Sequence, residues 1–293
     1  MSLKGCTVSV FGLGLLGGSL AWRLSLSGAV KGVAGWSRRS ETVRLAREKG
    51  IITTGCASAE ECAALGDILI MAVPMRSMEE LSRKISSCAK KDLRAVFDLG
   101  SAKGKIGRKL APLWGAPYAG FHPMAGRETG GLENADPHLF VGATCAVVPF
   151  EDTSPEAVAL ARELALALGG RPVEMDASAH DASVAAISHL PLLAASALAL
   201  LAGREAEDNP LIPLMAAGGF RDSTRVAVGP PWLGADMADQ NRAEIKRLAE
   251  ELAKILLQMA NAPVGELEAM LTEAAASRGA VMDADRAANE GSL

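Results

Sequence analysis

The residues best equipped for chemistry lie in short, well-separated stretches. The first is Gly12-Leu13-Gly14-Leu15-Leu16-Gly17, which follows the apolar run Val8–Phe11 and opens a helical pattern. In that setting Gly12 makes a tight turn, Gly14 lets the backbone approach a pyrophosphate, and Gly17 lets the helix pack on the strand. The helix N-terminus adds free N–H groups and partial positive charge. The stretch therefore predicts a bound dinucleotide, and Leu13, Leu15 and Leu16 belong to the same grip. Further along, His122-Pro123 follows the apolar Tyr118–Phe121. An imidazole there can take a proton near neutral pH. Ser101 stands where a helix can begin, Ser101-Ala102-Lys103, and can cap it. Arg225 carries the planar two-pronged donor that suits a carboxylate, although a surface salt bridge would use it equally well.

The elements that must position these residues follow from the hydrophobic pattern. Candidate strands are Thr7–Phe11, Gly32–Trp36, Asp67–Val73, Arg94–Asp98, Tyr118–Phe121, Ala143–Val148 and Arg171–Met175. Helical patterns fill the gaps, as at Glu41–Glu48, Ser77–Ser87 and Pro155–Leu168. Strands alternating with helices predict an α/β fold, an N-terminal Rossmann-type doubly wound sheet. From Ala177 onward the pattern is helical throughout, which predicts an all-α C-terminal domain that dimerises to cover its apolar faces. The predicted division is 1–176 for dinucleotide binding and 177–293 for substrate and dimerisation. The stretch Asn241–Met259 is amphipathic, with Ile245, Leu248, Leu252, Ile255 and Leu256 on one face. Leu190–Ala202 is apolar, too short to span a bilayer, and contains Pro191, so it reads as a buried helix. The small, polar residues from Ser277 to Leu293 read as a frayed end.

The second strand narrows the choice of dinucleotide. Its end normally carries an acid for the ribose hydroxyls. Here it reads Gly35-Trp36-Ser37-Arg38-Arg39-Ser40. Arginines pair with a 2′-phosphate, and Ser37 can donate to it. The reading is NADP in preference to NAD, with a solvated turn as the plainer account of Arg38 and Arg39. Val73-Pro74, after the third long strand, lies at the same ligand-binding edge.

Taken together, several motifs point to a family. Gly-Leu-Gly-Leu-Leu-Gly-Gly-Ser-Leu (12–20), Asp98-Leu99-Gly100-Ser101-Ala102-Lys103, His122-Pro123-Met124-Ala125-Gly126, Ser188-His189-Leu190-Pro191 and Gly218-Gly219-Phe220-Arg221-Asp222-Ser223-Thr224-Arg225 occur in one order across nearly the whole chain. In this the chain resembles the prephenate and arogenate dehydrogenases of tyrosine biosynthesis. The resemblance implies oxidative decarboxylation of prephenate or arogenate with NAD(P). It makes His122 the proton acceptor and lets Ser101 hydrogen-bond His122 and the substrate hydroxyl. It places Arg225 on the ring carboxylate and Arg127 and Glu128 near the substrate side chain. Ser188 and His189 line the site, or His189 bonds backbone instead. Asp222 pairs with a neighbouring arginine or gates the pocket. One position departs: the family usually reads Ser-His-Leu-Pro-His, and this chain has Leu192. A different pocket wall, a changed preference such as arogenate, or lost catalysis would each follow from it.

Two rival classes remain in view. A β-hydroxyacid dehydrogenase-like reductase needs a lysine early in the helical half, and none lies between Lys109 and Lys246. A non-catalytic dinucleotide-binding regulator would have no use for His122, Ser101 and Arg225 together. A net charge of −4 leaves no footprint for nucleic acid. The four histidines show no metal-ligand spacing. Five scattered cysteines and no signal peptide predict a cytoplasmic protein away from the membrane.

Overall fold

The computed structural model describes residues 2–290. The first part of the chain folds as an eight-stranded sheet in the order β3-β2-β1-β4-β5-β6-β7-β8. Its strands are β1 (Thr7–Phe11), β2 (Gly32–Trp36), β3 (Thr54–Gly55), β4 (Ile68–Met71), β5 (Ala95–Asp98), β6 (Tyr118–Pro123), β7 (Thr144–Val148) and β8 (Arg171–Glu174). Helices α1 (Leu15–Ser27), α2 (Ser40–Glu48), α3 (Ala59–Leu65), α4 (Met75–Ile85), α5 (Gly104–Trp114) and α6 (Pro155–Ala167) connect them. All pairings are parallel except β6 with β7, and β7 pairs parallel with β8. β4 and β5 are nearly continuous apolar runs, and β1 is buried from Val8 through Phe11, because both faces of the sheet are covered. Two buried clusters fill those faces, one around Val10, Ile70, Phe97 and Leu160, the other around Phe11, Met71, Val96 and Leu110. Cys6, Cys56, Cys62 and Cys145 are buried free thiols.

The order 3-2-1-4-5-6 reverses between β1 and β4, and ligands bind at such a switch point beyond the carboxyl ends of the strands. That edge carries the glycine turn after β1, Val73-Pro74 after β4, Leu99-Gly100-Ser101 after β5, and His122 on β6.

Helices follow the sheet: α7 (Ala177–Val184), a π-helical turn (Ala185–His189), α8 (Leu190–Asp208), α9 (Leu211–Met215), α10 (Gly218–Thr224), a 3₁₀ turn (Arg225–Val228), α11 (Pro231–Gln240), α12 (Arg242–Asn261) and α13 (Val264–Glu290). The chain divides into compact units Met1–Glu244 and Ile245–Leu293. Within the first, α11 docks on the sheet domain: Asp236 accepts the Arg76 N–H, and Asp239 pairs with Lys105 at 2.6 Å. The second consists of the remainder of α12 and α13.

Two readings need correction. Leu190–Ala202 is neither short nor buried. It belongs to one helix running Ala177–Asp208, long and apolar enough to cross a membrane, of which 22% of the most apolar window is buried. Leu198, Leu200 and Leu201 are exposed and only Ala195 of α8 is buried. Apolar content alone does not tell a core helix from one that a single chain leaves open. The stretch from Ser277 is helical through Glu290, and the final three residues lie outside the described residues.

Candidate active site

The nucleotide cradle forms as its residue types require. Gly12 has φ +98°, and a Cβ there would stand 2.4 Å from the Ala72 carbonyl oxygen. A Cβ on Gly17 would stand 1.9 Å from the Gly12 oxygen, so only glycine brings α1 this close to β1 and β4. Gly14 has nothing within 4 Å of its Cβ position, which leaves room for a ligand against the helix N-terminus. No acidic side chain occupies the first turn of α1 to compete with a phosphate. These residues fit a dinucleotide pyrophosphate. Beyond β2, a cavity of about 840 Å³ is lined by Ser37, Arg38, Ser40, Arg44, Arg47 and Lys84, among others. Arg44 is held by Glu48 and Lys84 by Glu60, whereas Arg38 and Arg47 make no ion pair among the described residues. Arg39 takes the N-cap position of α2 and does not line this cavity. Arg47, one turn beyond Val43, was not singled out in sequence because it is far from the strand end.

β6 runs through His122 and Pro123 rather than stopping at Phe121, because antiparallel β7 extends the ladder and pairs Ala146 with His122. The sheet, not a loop, therefore fixes the backbone of His122. Its Nδ1 lies 2.9 Å from Nε2 of His180 on α7. Nδ1 of His180 lies 2.8 Å from Oδ1 of Asp181. The Asp181 carboxylate also accepts the backbone N–H groups of Lys103 at 2.7 Å and Gly104 at 2.8 Å. It thus caps α5 from across the fold. Ser101 does not cap that helix, and its Oγ is buried without a hydrogen-bond partner among the described residues. A buried, unpartnered hydroxyl at the ligand edge is a group waiting for a partner.

Beneath His122 lies a buried ion pair. Lys103 Nζ donates to Asp98 Oδ1 at 2.6 Å and to the carbonyls of Asp98 and Phe121. Tyr118 Oη donates to Asp98 Oδ2 at 2.8 Å. Burial pushes the Lys103 ammonium below its ordinary range, opposed by the Asp98 carboxylate. His122 is held well below the usual histidine range, first by burial and then by the nearby Lys103, His180 and His189. It is therefore uncharged at neutral pH and able to accept a proton. Burial alone would raise the Asp181 carboxyl, but His180 and the two amides hold it below its usual value.

His189 closes the π-helical turn, fully buried, with Nδ1 3.3 Å from the Asn241 amide and Nε2 without a close hydrogen-bond partner among the described residues, although the Ser101 backbone favours its charged form. Burial pushes it down to about 4, against the opposing pull of Asp181. π turns often mark functional positions because they re-aim one residue of a helix. The half-buried Ser188 precedes it.

Comparison with known proteins follows the same lines. Residues 20–174 match the family model "Prephenate dehydrogenase, nucleotide-binding domain", and residues 176–272 match "Prephenate dehydrogenase, dimerization domain". The chain belongs to the prephenate dehydrogenase family. It is 33% identical over 75% of its length to a prephenate dehydrogenase of Lactococcus lactis. It spans 60–65% of the length of the curated relatives from Lactococcus lactis and Bacillus subtilis. Among solved structures it is similar to the prephenate dehydrogenase of A. aeolicus in complex with hydroxyphenyl propionate and NAD+, at TM-score 0.83 and 27% identity, covering 96% of this chain and 99% of the other. It is also similar to Synechocystis arogenate dehydrogenase, at TM-score 0.79 and 28% identity, covering 94% of this chain and 99% of the other.

The remaining residues expected in a prephenate dehydrogenase site are brought together unevenly. Arg225, on the 3₁₀ turn, forms an exposed ion pair with Glu128. That contact joins residues 97 apart in sequence. Arg127 turns away to Asp136 at 2.5 Å. Asp222 is exposed on α10. Leu192, where the family motif usually has histidine, is half-buried in the first turn of α8, and a Cβ added at Gly234 of α11 would meet it at 3.1 Å. Sequence reasoning missed His180, Asp181, Asp98, Lys103, Tyr118 and Asn241 as parts of the site. The motif Asp98-x-Gly-Ser-x-Lys103 held a usable signal: a charged pair flanking a strand end.

Proposed function

We propose that this protein oxidises and decarboxylates prephenate or arogenate with a nicotinamide dinucleotide, and that NADP is preferred. The observation that carries the reading is an uncharged, sheet-anchored His122 on β6 and the orphaned Ser101 hydroxyl past the end of neighbouring β5, at the edge where the glycine cradle opens. A bound nicotinamide dinucleotide supplies the hydride acceptor. His122 takes the proton from the ring hydroxyl as the C–H electron pair leaves, so the C–O bond becomes a carbonyl. The ring C–CO₂ bond then breaks. Its electron pair enters the ring, the carbonyl oxygen is protonated to a phenol, and the ring becomes aromatic. Ser101 Oγ orients the hydroxyl, and Arg225 offers a bidentate site to the ring carboxylate. For that role the guanidinium exchanges its Glu128 partner for substrate. Ser188, His189 and Asp222 complete the surroundings of the substrate, which Arg127 reaches by leaving Asp136. Leu192 gives this chain a less polar wall than a histidine would.

The preference for NADP rests on Ser37, Arg38 and Arg47 facing the cavity beyond β2, with no carboxylate at the strand end. Initial rates with prephenate and arogenate, each with NAD and NADP, test the substrate and cofactor readings together. NADP should give the higher kcat/KM, and Arg38→Ala should raise the KM for NADP by about tenfold while changing that for NAD little. Higher efficiency with NAD in the unaltered protein would overturn the preference.

The boundary we propose lies at 176, with 1–176 binding the nucleotide and 177–293 pairing two chains. The exposed leucines of α8 support a homodimer, since a soluble chain rarely leaves so apolar a helix uncovered. Sedimentation at the single-chain mass at micromolar concentration would contradict it. A soluble, cytoplasmic dimer also accounts for the long apolar helix without a membrane.

A further inference from the structure

Two side chains in a row behind His122 have no part in the reading above. His122, His180 and Asp181 lie in line, joined by contacts of 2.9 and 2.8 Å. His180 is 1% exposed and Asp181 8%. Both stand in the middle of α7, with Asp181 pinned to the first turn of α5 through the amides of Lys103 and Gly104 and to the end of α11 through Asn241, whose amide donates to the Asp181 carbonyl at 2.7 Å.

The donor roles along this row follow from chemistry. An ionised carboxylate only accepts, so Nδ1 of His180 must carry a proton toward Asp181. In the uncharged imidazole Nε2 of His180 then holds a lone pair and accepts. Nδ1 of His122 must therefore be the donor, and its Nε2 is left with the free lone pair. Each link sets the tautomer of the next, beginning from the one group with no choice.

We propose that His180 is a positioning residue that, backed by Asp181, fixes the tautomer of His122 so that Nε2 is the base. The inference rests on His122 as the proton acceptor. When the hydroxyl proton arrives on Nε2, His122 becomes an imidazolium whose Nδ1–H already points at Nε2 of His180. Asp181 supplies a full negative charge one ring further back. Lys103, His180 and His189 all hold His122 below its ordinary range. Lys103, at the head of α5, opposes a second cation, and His189 on the π turn is itself disfavoured as a cation by burial. Asp181 is the one anion in this row. Hydrogen-bond contacts between His180 and His122 also resist rotation of the His122 ring, whose backbone the β6–β7 ladder already holds.

Two measurements test this. Nitrogen-15 spectra of the ligand-free protein, with His122→Asn for assignment among four histidines, should show His122 protonated at Nδ1 and bare at Nε2, and His180 protonated at Nδ1. A proton on Nε2 of His122 in the unaltered protein would overturn the proposal whatever the substrate proves to be. In turnover, His180→Phe should lower kcat by about 10²-fold with little change in KM, and move the acid limb of the pH profile to higher pH, since His180 is one of the groups that hold His122 down. His180→Gln, whose carbonyl can still accept from His122, should recover much of kcat. A folded His180→Phe protein with unaltered kcat and pH profile would refute it, as would equal losses in both variants with the acid limb unmoved. Failure of the unaltered protein to turn over either substrate would count against the functional reading, while the tautomer measurement stands apart from it.

Discussion

Replacing His122 with asparagine is expected to lower kcat by about 10³-fold and to leave dinucleotide affinity nearly unchanged. Asparagine keeps a polar group of similar size but cannot take a proton at neutral pH. The alcohol must lose its proton as hydride leaves, so the whole benefit of a positioned base disappears. Nucleotide affinity should survive because the cradle is built from Gly12, Gly14 and Gly17 on β1 and α1, and the cavity beyond β2 is built separately. The unaltered enzyme should keep its activity to a pH below the ordinary histidine range, since burial and Lys103 keep His122 uncharged there. The sign follows directly: a base whose protonation is disfavoured stays competent as pH falls until it reaches its own depressed value. Stopped kinetics with intact nucleotide binding, read by fluorescence titration, would support the assignment. Near-normal turnover in His122→Asn would remove His122 from its role.

Lys103→Met should cost about 3–5 kcal/mol of stability, because it strips the counter-charge from a fully buried carboxylate. Lys103 and Asp98 are both wholly shielded from solvent. Once the ammonium is gone, Asp98 keeps only the Tyr118 hydroxyl and the Gly100 amide. Pairing Lys103→Met with Asp98→Asn should return a large part of the loss, since a neutral amide is far cheaper to bury than an unpaired charge. Urea denaturation of the two variants beside the unaltered protein reads this out. A single variant within about 1 kcal/mol of the parent would show that the pair is not the buried support described here. The pair also touches catalysis. Lys103 helps keep His122 uncharged, so the surviving Lys103→Met enzyme should show an acid limb displaced to higher pH.

Much of the scaffold was legible because its signals are local. β1 and β2 have the bounds that their apolar runs predict, and Gly12 and Gly17 sit where glycine alone fits. β3 was not foreseen, since two residues pairing with β2 leave no periodicity to read. The extent of β6 was misjudged for a related reason: the antiparallel partner that lengthens it lies more than twenty residues downstream. The chemistry around His122 was only half legible. A strand-end histidine advertises itself, but its support comes from His180 and Asp181, 58 and 59 positions away, and no sequence period links them. Ser101 looked like a helix cap because serine does that work locally, while in this fold a carboxylate from α7 does it instead. Arg38 was found from its place at a strand end, whereas Arg47 reaches the same cavity from a helix. The apolar stretch in α8 reads the same in sequence whether the fold buries it or leaves it open.

The most direct test of the whole account is the stoichiometry of a single reaction. Purified protein given NADP and either prephenate or arogenate should release one CO₂ for each nicotinamide reduced, with an aromatic product, and should do neither without the dinucleotide. Reduction of nicotinamide with no CO₂ release, or no reduction with either substrate, would contradict it.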